Sequence, residues 1–326
     1  MLKVGLIGAG DIGSYLGQMC VEIPGASLAA VAGHNSNKVE NYARKHGALF
    51  YPDYQAMLKQ TRLDAVIVAT PSDTHHQIVL DCIHAGLHVF CEKPLALSVQ
   101  DCDKMISAAA TAQVKLMVGH VLRELPVFVK VREIIASKAL GKPLVTSLIR
   151  TEKVGLVGWY LEKPRYRSAF HEMAIHELDL LRALMGEIED IEVQAVQRPG
   201  RDLDYDTPTL IRLKFQNGSV GSITYHWNSP LTTGYGMLLC ENGAIRCSWR
   251  DRNWIEYSVS TGENIRLDVP TTDWNNSYRR ELISFFNWIL MNAPPVTSAE
   301  DGRAAVVLAE SAMLSRETGK PVTLPK

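Results

Sequence analysis

Val4-Gly5-Leu6-Ile7-Gly8-Ala9-Gly10-Asp11-Ile12-Gly13 is the stretch on which the reading of this chain turns. An apolar run, Val4 to Ile7, leads straight into G-x-G-x-x-G, and the helical spacing of Ile12, Tyr15, Leu16 and Met19 follows. Strand, glycine turn and helix in that order make the βα turn of a dinucleotide-binding unit. Gly8 permits the tight turn, Gly10 lets the backbone approach a pyrophosphate, and Gly13 lets helix and strand pack closely. The helix start, at Asp11 and Ile12, offers free N–H groups and the positive dipole end to phosphates. Three glycines alone recur by chance, so the flanking strand and helix carry the inference.

Outward from this turn, the first 120 or so residues alternate strand and helix. Strands are expected at Ser27–Ala32, Ala65–Ala69, His88–Cys91 and Val114–Val118, with helices at Lys38–His46, His75–Ala85 and Ser98–Ala112. Short apolar strands separated by helices imply parallel pairing with both faces covered, hence a doubly wound Rossmann sheet. Its ligand crevice lies at the C-terminal ends of the strands. Beyond residue 122 the rhythm changes. After a helix near Pro126–Ser137, strand-like runs accumulate at Leu144–Thr151, Ile191–Gln197, Thr209–Phe215, Val220–His226, Met237–Cys240, Ala244–Ser248 and Trp254–Val259. The pairs Asn217-Gly218, Asn242-Gly243 and Thr261-Gly262 punctuate them like hairpin turns. One helix, Glu172–Met185, interrupts the series, and two more (Ser277–Met291, Ala299–Glu317) close it. The fold class is therefore α/β: a Rossmann domain over residues 1–122, then an α+β domain over 123–326 with an open, mostly antiparallel sheet.

Composition excludes several classes. With 46% apolar and 21% charged residues the 326-residue chain buries sizeable cores, and two domains suit its length. A formal net charge of −1 without basic runs argues against nucleic-acid or anionic-membrane partners. The six cysteines show neither C-x-x-C pairing nor metal spacing and read as reduced thiols. No stretch of about 18 apolar residues is present. The expectation is a soluble, cytoplasmic protein holding no metal.

Four segments carry candidate chemistry. After the second strand, where a carboxylate would bind the ribose 2′-hydroxyl and select NAD, the chain reads Gly33-His34-Asn35-Ser36-Asn37-Lys38. Those donors suit a 2′-phosphate, which weighs NADP slightly over NAD; a plain helix N-cap is the alternative for Asn35-Ser36-Asn37. Thr70-Pro71 with His75, and Cys91-Glu92-Lys93-Pro94, open onto the crevice after the third and fourth strands. A proline ends pairing there in any case, but a Glu92-Lys93 pair closing a buried strand is costly without a purpose. Finally, Glu172, His176 and Asp179 stand at i, i+4 and i+7, which on an α-helix is one face. A histidine with carboxylates a turn away on both sides suits proton transfer. His171 and His176 lack the i, i+4 spacing of paired metal ligands.

These segments together resemble the glucose–fructose oxidoreductase, inositol dehydrogenase and MocA (Gfo/Idh/MocA) family of NAD(P)-dependent oxidoreductases. The likeness runs nearly end to end, through Val4–Gly13, Val68-Ala69-Thr70-Pro71 with His75, Ala85–Pro94, Val118–Arg123, His176–Leu181 and Ser298–Gly302. It implies that Lys93 lies by the nicotinamide and the reacting hydroxyl, with Glu92 near the nicotinamide ribose. It implies that His176 is the general acid/base and that Glu172 stands where many members carry an aspartate. The run before that acid departs from the family's glycine-rich pattern, being Arg167-Ser168-Ala169-Phe170-His171, so His171 can share or replace Glu172's role.

The expected activity is hydride transfer between NAD(P) and a secondary alcohol of a sugar, inositol or related polyol. Arg123, Arg150, Lys153, Trp159, Arg165 and Tyr235 are candidates to line the substrate pocket with His171 and His176; arginines there would suit an acidic sugar, or serve as structural salt bridges. The alternatives are a redox-cycling lyase or glycosidase with recycled cofactor, and a non-enzymatic dinucleotide-binding module. Apolar positions on two strands (Leu210, Leu213, Phe215; Val220, Ile223, Tyr225, Trp227), with helices 126–137, 172–186 and 277–291 covering one sheet face, leave the other face for a second copy. A homodimer or homotetramer is expected.

Overall fold

The computed structural model describes residues 1–34, 36–153, 167–196, 207–250, 253–260, 262–269 and 274–325. The chain divides into two compact units: Met1–Val121 with Trp274–Val306, and Leu122–Asp273 with Val307–Lys326.

The first unit opens with β1 (Leu2–Ile7), α1 (Asp11–Glu22), β2 (Ala26–Ala32), α2 (Ser36–Lys45), β3 (Leu49–Tyr51), α3 (Tyr54–Gln60) and β4 (Ala65–Val68). It continues with α4 (His75–His84), β5 (His88–Glu92), α5 (Val99–Ala112) and β6 (Leu116–Gly119). The sheet order is β3-β2-β1-β4-β5-β6, and every neighbouring pair is parallel. The order reverses between β1 and β4, which places the crevice of a doubly wound sheet beyond their C-terminal ends. All four residues of β4 are buried, as a strand covered on both faces requires. The pair β3 and α3 was not expected from the sequence.

In the second unit, α6 (Pro126–Ala136) and β7 (Pro143–Lys153) precede a π-turn at Phe170–Ala174 and α7 (Ile175–Met185). Strands β8 (Ile188–Ala195), β9 (Thr209–Phe215), β10 (Val220–His226), β11 (Asn228–Cys240), β12 (Gly243–Ser248), β13 (Trp254–Val259) and β14 (Ile265–Asp268) follow. With the terminal β15 (Val322–Thr323) they form a nine-stranded sheet ordered β14-β13-β12-β11-β7-β10-β9-β8-β15. Only β7 and β10 pair in parallel; every other neighbour is antiparallel. On one face, Phe128 and Val131 of α6 and Leu181 and Met185 of α7 converge on Leu148, Leu238 and Ile245.

Most of the apolar residues expected on the uncovered face are instead inward, although Val220 is exposed and Leu210 half-buried. Leu213, Phe215, Ile223, Tyr225 and Trp227 are all buried. The outward stripe is Val220–Val145–Leu239, Ser222–Ser147–Met237 and Thr224–Ile149–Tyr235, each trio aligned across β10, β7 and β11. Alternation fixes that two sets of residues point oppositely, and the apolar character of both sets hides which one faces the helices.

Helix α8 (Trp274–Met291) was expected over the second sheet, yet it packs in the first unit. Its Leu282, Phe285 and Phe286 join the core of Val4, Leu6, Phe90 and Met117, with the Phe90 and Phe285 rings 5.9 Å apart. The first unit therefore takes chain from beyond residue 122, and the division falls within α9 (Ala299–Thr318) after Val306. An apolar stripe states that a helix face is buried, not which sheet buries it. All six cysteines are buried free thiols. No helix among the described residues is long and apolar enough to cross a membrane.

Candidate active site

The three fingerprint glycines prove to be unlike one another. Gly8 has φ +93°, and a Cβ there would stand 2.6 Å from the Ala69 carbonyl oxygen. A Cβ on Gly13 would overlap the carbonyl oxygen of Gly8. At Gly10 nothing lies within 4 Å of that position. Two glycines thus serve packing, while the third keeps space open over the α1 N-terminus. Asp11 and Ile12 are both exposed at that helix start. Asp11 pairs at 3.8 Å with Lys38 of α2. His34 is exposed beyond β2, and Asn35 lies outside the described residues.

The loop after β4 is knitted to itself and to the loop after β5. The Thr74 hydroxyl lies 2.7 Å from both Thr70 Oγ1 and the Pro71 carbonyl oxygen. His75, which the sequence suggested as a cofactor contact, is 1% exposed. Its Nδ1 lies 2.7 Å from the Pro94 carbonyl oxygen and its Nε2 2.9 Å from that of Thr70. Both nitrogens thus face backbone, and the ring ties the two loops. Burial pushes its pKa down against the opposing pull of the two carbonyls.

At the end of β5, the Glu92 carboxylate accepts a hydrogen bond from the Lys93 backbone N–H at 3.2 Å. Its other oxygen, Oε1, is buried with no hydrogen-bond partner. Burial raises the Glu92 pKa to about 7, and Lys93 partly offsets the rise. Opposite it on β6 stands Gly119, where a Cβ would come within 3.2 Å of that orphaned oxygen. A side chain at Gly119 would therefore crowd both the Phe90 ring and that oxygen, a constraint the sequence did not suggest. The half-exposed Lys93 leads into a cis peptide bond to Pro94.

In the second unit the sequence's single helical face is interrupted. Residues Phe170–Ala174 form a π-turn, with the Ile175 N–H reaching back to the Phe170 carbonyl. The extra residue per turn alters the angular offset between Glu172 and His176, so the α-helical i, i+4 relation does not hold between them. Single π-turns of this kind occur frequently at functional sites. Glu172 is fully buried there. His171 is buried as well, with Nδ1 2.9 Å from Ser168 Oγ. Burial and the nearby Arg167 push its pKa down to about 3, so the ring is neutral near pH 7. Along Ile175–Leu181, His176 alone is not buried.

Asp179 has a different partner from the one expected. Arg123 donates to it from Nε at 2.8 Å and from Nη2 at 2.6 Å, a two-point pairing. Arg150 donates to Glu177 at 2.6 Å and to Glu152 at 2.8 Å, with its guanidinium 4.4 Å from the Trp227 ring centroid. The two described arginines considered as substrate ligands are therefore buried ion-pair members of the second unit. Tyr235 sits beside Ile149 on the outward sheet face, away from Arg150. Trp159 and Arg165 lie outside the described residues. Among the described residues, no group of three His, Cys, Asp or Glu side chains is placed to hold a metal ion.

A dinucleotide fits the first unit on two counts: the open position at Gly10 and the unpartnered Glu92 oxygen, an acceptor for a ribose hydroxyl. Parallel six-stranded sheet, reversal of strand order and glycine turn together define the Rossmann dinucleotide-binding class. The chain belongs to the Gfo/Idh/MocA family: residues 2–120 match its oxidoreductase, NAD-binding Rossmann fold model, and residues 128–246 match its C-terminal domain. It is an NAD-dependent oxidoreductase acting on CH–OH groups. The myo-inositol 2-dehydrogenase of Thermotoga maritima is 29% identical, covering 99% of this chain and 98% of that protein. The inositol 2-dehydrogenase of Rubrobacter xylanophilus is 28% identical, covering 98% and 92%. A solved levoglucosan dehydrogenase in complex with NADH superposes with a TM-score of 0.89 at 21% identity, covering 100% of this chain and 99% of that one, a likeness of fold.

Proposed function

We propose that this enzyme oxidises a secondary alcohol of inositol or a related sugar or polyol, with His176 as general base and Lys93 as hydroxyl-orienting group. The observation carrying this reading is that His176 is the one accessible residue in a seven-residue helical stretch otherwise buried. Bound NAD(P) supplies the hydride acceptor at its nicotinamide. His176 takes the hydroxyl proton as the C–H bond breaks, and the Lys93 ammonium stabilises the developing oxyanion. Glu172, buried in the π-turn, acts with His176, and neutral His171 donates or accepts a hydrogen bond toward substrate. The names of the two inositol dehydrogenase relatives support the polyol class. The pairing of Arg123 and Arg150 with carboxylates supports an uncharged substrate over an acidic sugar.

Cofactor choice is the finer question. No carboxylate occupies the Gly33 position, and exposed His34 and Lys38 supply donors, which supports NADP binding at least as well as NAD. His75, Thr70 and Pro71 shape the loop beside the cofactor, and Gly8, Gly10 and Gly13 its phosphate turn. The enzyme also pairs with a second copy. Its outward sheet stripe holds nine residues without a charge, while Arg246–Glu256 on one side and Arg212–Glu192 on the other form a charged rim.

A dehydrogenase screen over inositols, neutral sugars and sugar acids with both cofactors tests the function. Sustained nicotinamide reduction with an uncharged polyol is expected. Substrate turnover without net change in nicotinamide absorbance would instead identify a redox-cycling lyase or glycosidase.

A further inference from the structure

Helix α7 carries His176 between two carboxylates that two arginines grip from elsewhere in the second unit. At about 100° per residue, Glu177 projects about 100° to one side of His176 and Asp179 about 60° to the other. Arg123, from the turn before α6, holds Asp179 through two of its nitrogens. Arg150, from the middle of β7, holds Glu177. Arg150 is itself fixed by Glu152 and lies over the Trp227 ring, while Arg250 also reaches Glu152. Asp179 and Glu177 are 1% and 0% exposed.

Burying four charged groups is a poor route to stability, because desolvation cancels most of the attraction and a well-packed apolar set does as well. What ion pairs add over apolar contacts is direction: a guanidinium accepts a carboxylate only within a narrow range of angles. One grip lets a helix roll about its axis; two grips on opposite flanks fix that rotation. The side chain lying between them is His176.

We propose that Arg123 and Arg150 are positioning residues that set the azimuth of α7, and with it the direction of the His176 imidazole. This rests on the reading of His176 as the proton-transfer group. Neither arginine touches substrate in this account; both act through the helix.

The test uses the full-length enzyme with Arg123→Lys and Arg150→Lys, which keep the charge and lose the fork. Arg303→Lys, in the exposed pair with Asp103, is the control. With NAD and myo-inositol as probe, each clamp variant should lower kcat by about 10-fold or more, as small misplacements of a reacting group do. KM for NAD should stay within about twofold, since the nucleotide fingerprint lies in the other unit, and the control should match wild type. In substrate-free enzyme, the His176 ring resonance should shift or broaden in the clamp variants alone. Wild-type kcat with an unmoved His176 resonance overturns the proposal. If either lysine variant fails to fold, Arg123→Met with Asp179→Leu removes both charges of the pair together. That pair, folded and as fast as wild type, also overturns it. His176→Ala separates the two levels: full activity there sinks the reading of His176 and the clamp with it. An inactive His176→Ala beside fully active clamp variants sinks only the clamp.

Discussion

Gly13 of α1 lies so close to Gly8 that a Cβ on the first would overlap the carbonyl oxygen of the second. Gly10, midway between them, faces open space. The fingerprint therefore separates into packing and binding parts. Gly13→Ala should lower the unfolding temperature, because backbone must shift to admit the methyl group. Gly10→Ala should leave it nearly unchanged and weaken dinucleotide affinity. Thermal unfolding alongside cofactor titration checks both. Equal binding by Gly10→Ala and wild type would place the pyrophosphate elsewhere.

Cofactor preference turns on Gly33. A Cβ there would meet Val39 Cγ2 at 3.0 Å, a contact that a side-chain shift of a few tenths of an ångström relieves. Gly33→Asp should therefore fold, repel a 2′-phosphate and accept a ribose 2′-hydroxyl. NADP affinity should fall and NAD affinity hold or rise. Wild-type enzyme that strongly prefers NAD would refute the NADP reading outright.

Two buried groups give opposite pH signatures. Glu92, with its pKa raised to about 7, keeps its proton when folded over a range where the unfolded chain has released it near 4.5. Its burial therefore costs stability as pH rises from about 4.5 to about 7, and the cost persists above. Glu92→Gln should unfold at a higher temperature than wild type at pH 8 and at a similar one at pH 4. His171 runs the other way. Held down to about 3, it stays neutral when folded while the unfolded ring takes a proton below about 6.5. Its burial carries no protonation cost above that value, and stability is lost on acidification toward pH 3. His171→Phe should flatten that acid limb. Unfolding temperatures measured across pH 4 to 8 decide both cases.

The uncharged stripe on the second sheet predicts assembly. Light scattering at micromolar concentration should give a mass at least twice 36.2 kDa. Val145→Asp, placed where β7 meets both Val220 and Leu239, should reduce that mass to the monomer. A wild-type monomer with full activity would show the stripe is covered some other way.

Much of this was legible in the sequence, and the omissions have physical causes. The fingerprint and buried parallel strands were plain, because a strand covered on both faces must be continuously apolar. Strand β3 escaped because one exposed and two half-exposed edge residues carry no period, and α3 because seven residues span barely two turns. The destination of α8 was invisible, since an apolar stripe suits any apolar sheet. At the site, His176 and Lys93 stood out by residue type and place. The partners of Asp179 and Glu177 did not, as they lie 56 and 27 residues away in sequence. The π-turn likewise has no signature in a pattern read at 3.6 residues per turn.

Steady-state kinetics and cofactor binding of Lys93→Ala and His176→Ala test the central claim most directly. If these side chains stabilise the oxyanion and move the proton, each substitution should lower kcat by about 10²-fold or more. NAD(P) affinity, measured by titration, should largely survive. The double variant should lose less than the product of the two single losses, since both act in one step. Near wild-type turnover in either single variant would contradict the account by removing that residue from the chemistry.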